Sequence, residues 1–496
     1  MISPRSVTAF AVTILMLASA VSCGSTEEPV ISDAGTADTE TAAEAVEEEP
    51  GYPYETPDMN GYSLRVLNTD DLWSFFTAVD TDQMTGEILN DAVFNRNRTV
   101  ESLLNCQINV TQVASNGGLD NINNEVKKLI LAADDAYDVM YSCIDKMMSM
   151  VAEGYYYDLL TIPELHVNEE WWDKTVTENV TLNGSLYFAS SPMQLMPLQG
   201  TWCLFFNETM MNANDLALPY DLVREGKWTV DQFYIYTKAI TNLNGDADYK
   251  WSPDGNAVYG LSIHIESARM FLRGCNEFYI DRDKDGLPVF AAEDTRFLDV
   301  LEKLGTVLDT TAGLTFHGSD DDFNVNAGGY VYTFSADRAL FLSAQMKVAQ
   351  ELRDMEDTFG IVPYPKYDEN QTAYTSYLGT GLFYTIPVTA SHLTETAVIS
   401  DVLSWQSWKD VLPVYYGKVV EQKGLRNENS VEMMRLIRDT STLDLALMYG
   451  WTTDLDQKLR TNLYAGKGDF ASTIAKQRAA SESKIQKTLD AVSAAQ

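Results

Sequence analysis

Between Tyr62 and Tyr141 the hydrophobic spacing switches repeatedly between a period of two and a helical period, and this alternation restricts the fold more than any other feature of the chain. Tyr62 to Leu67 alternates in polarity and runs into the polar loop Asn68 to Asp71, followed by Trp73. Ile88 to Leu104 then places Ile88, Leu89, Val93, Val100, Leu103 and Leu104 at helical spacing. Gln107 to Val113 alternates again, Val126 to Ala133 reads as a short helix, and Tyr137 to Tyr141 as a third strand. Strand, helix, strand, helix, strand implies an α/β architecture with a parallel sheet and crossover helices. In such sheets the ligand crevice lies beyond the carboxyl ends of the strands. That rule selects Asp70, Asp71 and Trp73 after the first strand, and Asp145 after the third.

A second unit follows. Trp202 to Asn207 is a continuous apolar strand, and Val230 to Thr241 a helix with Thr229 at its N-cap and Asp231 in its first turn. Tyr259 to His264 reads as a strand and Leu298 to Leu308 as an amphipathic helix. Tyr330 to Phe334 leads into an expected helix from Leu340 to Leu352, and Phe359 to Lys366 is a strand stopped by Pro363 and Pro365. Helices are expected at His392 to Lys409, Ser430 to Asp439 and Asp456 to Leu463, with a thinly apolar one from Ile474 to Val492.

The N-terminal portion carries a different message. Arg5 precedes an apolar run from Val7 to Val21, and Ala20-Val21-Ser22-Cys23-Gly24 ends it. That run of about 15 residues is short of the roughly 20 that a membrane-spanning helix needs. It reads as a signal peptide over residues 1–22, with Cys23 as the lipidated residue of a bacterial lipoprotein. From Gly24 to Asn60 there is no Lys or Arg, and Asp and Glu recur among Ala, Thr, Ser and Pro. Residues 23–60 are therefore expected to be an acidic disordered tether, unable to bury enough apolar surface to offset its ordering entropy. As a coil it would reach roughly 35 Å.

The formal charge of -37 excludes nucleic acid as a surface partner, because phosphate backbones demand a basic face. The four histidines are scattered and no Cys-x-x-Cys or His-x-x-x-His pair exists, so no metal site and no cofactor are expected. Cys106, Cys143, Cys203 and Cys275 have no clustered spacing and read as small buried apolar groups, with disulfides left open. Asp281 to Gly286 copies the first half of a calcium loop, but the twelfth position is Ala292, so a tight hairpin turn is the better reading. Asp320-Asp321-Asp322 reads as a solvated loop or helix start.

Three blocks carry a family resemblance: Asp82 to Asn97, Trp228-Thr229-Val230-Asp231-Gln232-Phe233, and Phe359 to Tyr367 with Gln371 and Tyr374 after it. With them the chain resembles, from about Tyr62 onward, the extracellular solute-binding proteins of ABC importers, in the sugar-binding, maltose-binding-protein-like branch. The lipoproteins of this kind in Gram-positive gut bacteria show a similar pattern, which places the protein on the outer face of the cytoplasmic membrane. The resemblance implies a two-lobed, type II periplasmic-binding-protein-like α/β fold with a hinge and an interlobe cleft. Lobe 1 would comprise 60–203 plus 374–412 and lobe 2 204–373 plus 413–496, with crossings at Trp202 to Asn207 and Ile361 to Tyr377. It also implies a monomer that closes on an extracellular carbohydrate and hands it to the transmembrane permease subunits.

A sugar offers hydroxyls at its rim and C–H groups on its faces, so aromatic rings and amide or carboxylate groups suit it. Beyond Asp70, Asp71, Trp73 and Asp145, position selects Gln199 and Trp202 at the first crossing, Tyr377, Gly379 and Trp405, and Tyr449 with Trp451. No catalytic residue is expected. The rivals are an exported carbohydrate-active enzyme, for which no Gly-x-Ser-x-Gly or His-Glu-x-x-His motif is found, and a structural surface lipoprotein, for which no repeat is found.

Overall fold

Four strands form the first sheet, in the order Leu382–Thr385, Val139–Cys143, Tyr62–Thr69, Cys106–Val113. The computed structural model describes residues 51–116, 118, 120–319, 322–417 and 428–495, and of residues 145, 146 and 495 the backbone alone. The signal segment, Cys23, most of the acidic stretch and the Asp320-Asp321 pair lie outside the described residues. Tyr62–Thr69 runs parallel to both its neighbours, and Leu382–Thr385 joins antiparallel at the edge. The helices Ile88–Leu104 and Asp120–Leu131 make the two crossovers, as the alternating period requires.

The second sheet has the order Phe359–Val362, Trp202–Asn207, Ala339–Gln345, Tyr259–Ile263, Thr315–His317. Tyr259–Ile263 is parallel to both neighbours, whereas Trp202–Asn207 is antiparallel to both of its own. Trp202–Asn207 is buried along its whole length, which explains its unbroken apolar sequence. Thr229 caps Val230–Ile240 by accepting a hydrogen bond from Gln232 N at 3.4 Å.

The helix expected from Leu340 to Leu352 is a correction. Ala339–Gln345 is a central strand, and only Val348–Glu351 is helical, while the preceding Tyr330–Ser335 is itself a helix. A run such as Ala-Leu-Phe-Leu-Ser-Ala is apolar in every register, so periodicity alone does not distinguish a strand buried on both faces from a buried helix.

The chain passes between the sheets at Gly200 to Trp202 and returns at Ser376 to Gly379, and the two passages lie side by side. Thr201 bridges Leu378, and Gly379 N donates to Gly200 O at 3.2 Å. A third segment, Ser441–Thr442, pairs in parallel with Ser376–Tyr377. The junction between the sheets is thus built from three strands of chain. The C-terminal helix Phe470–Ala495 packs on the helix Ile144–Ala152 below the first sheet, and on Thr453–Tyr464 and Pro288–Phe290 beside the second.

The four cysteines are buried free thiols. Burial pushes the Cys106 thiol up to about 11, which keeps it protonated and unreactive. The Asp281 to Gly286 stretch forms the turn of the hairpin Ile280–Arg282 with Pro288–Phe290. There Asp283 Oδ1 accepts from Asp285 N and Leu287 N at 2.9 and 3.0 Å, and Gly286 takes the left-handed φ of 78° that the turn requires. No described helix is long and apolar enough to cross a membrane.

Candidate functional site

The loop that leaves the first strand, Asp70 to Thr77, is braced from four directions. Asp70 Oδ1 accepts from Ser115 N at 2.8 Å, and Asp71 Oδ1 accepts from both Thr77 N and Thr77 Oγ1 at 2.9 Å. Gln199 clamps Phe76, accepting its N–H and donating to its carbonyl, each at 3.0 Å. From the second sheet Lys347 Nζ donates to Trp73 O at 2.8 Å and lies over the Phe75 ring at 5.1 Å. These contacts hold Trp73 and Ser74 at φ 51° and 62°, a conformation costing a non-glycine residue of order 1–3 kcal/mol. Backbone strain so heavily supported leaves the Trp73 side chain 53% exposed at the tip of a fixed loop.

Trp73 looks into a groove between the two sheets, made of two adjoining cavities of about 670 and 440 Å³. Trp202, His264 and Gln345 line both and mark where they meet. The larger cavity is flanked by Trp73 and Phe75 from the first sheet and by Phe323, Tyr330, Lys347 and Glu351 from the second. The smaller is lined by Tyr377 and Gly379 at the second passage, with Glu266, Arg269, Met448 and Thr453 around them. Gly379 is required because a Cβ there would collide with the Trp202 indole.

Cations in the groove are already neutralised. Lys347 pairs with Glu351 at 3.3 Å, and Arg269 with Glu266 and, at 2.6 Å, with Asp456. What remains without a partner is neutral apart from one carboxylate oxygen of Glu351. The Tyr377 residue is only 3% exposed, and its hydroxyl, open to the groove, has no hydrogen-bond partner among the described residues. Burial pushes that hydroxyl far above its ordinary range, with Arg269 pulling weakly the other way, so it stays protonated and able to donate and accept. The Trp202 indole N–H and the Gln345 amide likewise find no partner among the described residues, and Glu351 Oε2 is a buried acceptor without one. Of these atoms Glu351 Oε2 is buried, and the others open onto the groove, where a ligand can complete their hydrogen bonds. Among the described residues no cluster of three or more His, Cys, Asp or Glu could hold a metal ion.

No protein-family model matches the sequence, and no curated protein matches it either. Solved structures do. A cyclo/maltodextrin-binding protein complexed with maltotetraose superposes with a TM-score of 0.58 at 12% identity, covering 88% of this chain and 99% of that one. The cyclic alpha-maltosyl-1,6-maltose binding protein of Arthrobacter globiformis gives 0.56 at 13% identity, covering 86% and 99%. An ABC substrate-binding protein of Listeria monocytogenes, in complex with cycloalternan, gives 0.54 at 12% identity, covering 87% and 99%. The fold is that of the two-lobed solute-binding proteins. Within a solute-binding fold the groove between the sheets is the interlobe cleft, with its floor at the crossing strands.

Of the residues selected from sequence, Trp73, Trp202, Tyr377 and Gly379 line this cleft. Asp70 and Asp71, each through one carboxylate oxygen, and Gln199 hold the Trp73 loop, and none of the three lines either cavity. Asp145 belongs to the helix Ile144–Ala152, whose first residue Ile144 lines the inner cavity, and its side chain lies outside the described residues. Trp405 sits elsewhere, edge-on to Tyr52 at 5.7 Å. Tyr449 and Trp451 stack on each other at 4.7 Å beside the C-terminal helix, in a separate depression. Sequence reading missed His264, Gln345, Lys347 and Glu351. His264 follows the strand Tyr259–Ile263, so the carboxyl-end rule would have found it. Reading its strand as a helix hides Gln345, while Lys347 and Glu351 follow that strand in a turn and a short helix that the carboxyl-end rule was not applied to.

Proposed function

We propose that this protein is the substrate-binding lipoprotein of an ABC importer, capturing a neutral extracellular oligosaccharide in the groove and delivering it unchanged to the membrane permease. The observation that carries the reading is the pairing of aromatic faces, Trp73, Phe323 and Trp202, with uncharged hydrogen-bonding groups that lack partners, Tyr377, Gln345 and the Trp202 N–H. Aromatic rings cover sugar C–H faces, and the polar groups complete the hydroxyls. Neutrality follows from the ion pairing of Lys347 and Arg269, and the net charge of -37 repels polyanionic glycans besides. Each lobe contributes contacts, so the ligand favours the closed form by the contacts made only there.

The test is thermal unfolding against a panel of neutral gluco-, xylo- and manno-oligosaccharides and oligogalacturonides. A neutral oligosaccharide at about 100 times its Kd stabilises the native state by about 2.7 kcal/mol and raises the melting temperature, and chromatography recovers it intact. Oligogalacturonides leave the melting temperature where it was. A shift with oligogalacturonides alone, or turnover of the ligand, overturns the reading.

The anchor rests on Cys23 and the small residues before it. A Cys23→Ser protein is expected in the culture medium, because one uncleaved or unacylated segment lacks the two-chain hold that stable anchoring needs. Retention of the variant in the membrane fraction, measured by immunoblot, counts against lipidation at that sulfur.

A further inference from the structure

The tip of the Trp73 loop is a two-residue turn of a demanding kind. Leu72 O accepts from Phe75 N at 2.9 Å, these two residues bridge as an antiparallel pair, and Trp73 and Ser74 between them have φ of 51° and 62°. Positive φ at both central residues is the type I′ form, which favours Asn and Gly because other side chains crowd their own backbone there. The chain obeys that preference elsewhere. Residues 59–62 and 182–185 close with the same hydrogen bond, and their central pairs, also at positive φ, are Asn60-Gly61 and Asn183-Gly184. At the groove the pair is Trp-Ser, so the turn there needs support that its own residues do not supply.

That support comes from across the groove. Lys347 follows the central strand of the second sheet and lines the larger cavity, and its Nζ donates to Trp73 O, the carbonyl inside the turn. Among the described residues this is the hydrogen bond that holds a central residue of the turn, whereas Gln199 and Asp71 hold Phe76 and Thr77 beyond it. The ammonium is also held by Glu351 Oε1 at 3.3 Å and over the Phe75 ring at 5.1 Å, and Lys347 is 8% exposed. Its backbone is fixed as well, since Lys347 N donates to Gln199 O at 3.1 Å and Met346 N to Thr201 O at 2.8 Å, beside the first passage between the sheets. We infer that Lys347 is a positioning residue: it acts on the ligand through Trp73, setting that ring over the groove from the opposite sheet, and is not itself a ligand contact. This rests on the carbohydrate reading above for what Trp73 touches, and adds how the ring is held there. It also accounts for a buried cation in a groove fitted to uncharged sugars.

The experiment is a double-mutant cycle on the full-length protein, with Trp73→Ala, Lys347→Met and the two combined. It is read as the calorimetric Kd for whichever neutral oligosaccharide of the panel binds most tightly. Met keeps an apolar stem against Phe75 and removes the donor. Lys347→Met is expected to weaken binding at least about tenfold when Trp73 is present and less than about twofold once it is gone. An equal loss in both backgrounds assigns Lys347 to the ligand or to general stability and overturns the inference. An unchanged Kd in either single variant overturns it too. A second measurement needs no ligand: in protein labelled with 5-fluorotryptophan, the fluorine line that Trp73→Phe removes is expected to move or split in Lys347→Met. A line left in place overturns the positioning role whatever the protein binds. Failure of every neutral sugar to bind overturns the carbohydrate reading alone, and the fluorine line then decides the positioning role.

Discussion

A Trp202→Ala protein is expected to bind its oligosaccharide at least about 100-fold more weakly than the parent, a loss of about 2.8 kcal/mol. Trp202 lines both cavities, its ring is 4% exposed, and its N–H has no partner among the described residues. The substitution removes the shared floor of the groove and a hydrogen-bond donor together. Truncating a buried Trp also costs stability, about 3–5 kcal/mol in a well-packed site, so the measurement is a calorimetric Kd on protein shown by circular dichroism to be folded. Trp202→Phe separates the contributions in part: it keeps one ring against the sugar face, loses the donor and the second ring of the indole, and is expected to weaken binding about tenfold. An unchanged Kd in Trp202→Ala excludes the groove as the binding site.

That Trp202 was legible in the sequence, while half of its surroundings were not, has a physical explanation. The first sheet announces itself through clean alternation between Tyr62 and Val113, where two strands and the helix between them fall within two residues of the expected bounds, whereas the second crossover helix begins at Asp120 rather than at the expected Val126. The groove follows from it, because loops at the carboxyl ends of parallel strands face one side. The second sheet is buried on both faces, so Ala339–Gln345 gives no period and was read as a helix. Gln345 is lost with it, and with the strand's carboxyl end unmarked so are Lys347 and Glu351 just beyond. Asp70 and Asp71 show a different limit. Both stand in the loop after the first strand, but which carboxylates brace a loop and which reach a ligand depends on partners distant in sequence, such as Ser115 for Asp70. Trp405 and Trp451 fell in helical or turn segments where nothing local distinguishes a packing ring from a binding one.

Asp456 supplies the second large effect, this time on stability. Its side chain is fully buried, and its oxygens accept from Arg269 at 3.2 and 2.6 Å, from Arg460 Nε at 2.8 Å and from the Tyr279 hydroxyl at 2.8 Å. It therefore ties the helix Thr453–Tyr464 to Ser267–Gly274 and to the residue just before the hairpin. Asp456→Ala leaves Arg269 buried against Glu266 alone and is expected to lower the unfolding free energy by about 3–5 kcal/mol, read from urea denaturation at pH 7. Burial alone would push the Asp456 carboxyl up, but Arg269, its hydrogen bonds and Arg460 outweigh burial and hold it below its ordinary value. A carboxyl lowered in the native state binds its proton more weakly there than in the unfolded chain, so its contribution is complete above about pH 4 and drains away as the pH falls through the native value. Asp456→Asn, which cannot ionise, is thus expected to lose most at neutral pH and to converge on the parent in acid. Parallel stability curves for the two proteins from pH 7 to pH 3 contradict this assignment. Because Arg269 also lines the smaller cavity, the same Asn variant leaves Arg269 and Arg460 to share the one carboxylate of Glu266, a net positive cluster beside the groove. It is therefore expected to admit oligogalacturonides that the parent protein excludes, which links the ion pairing of the cleft to its preference for uncharged sugars.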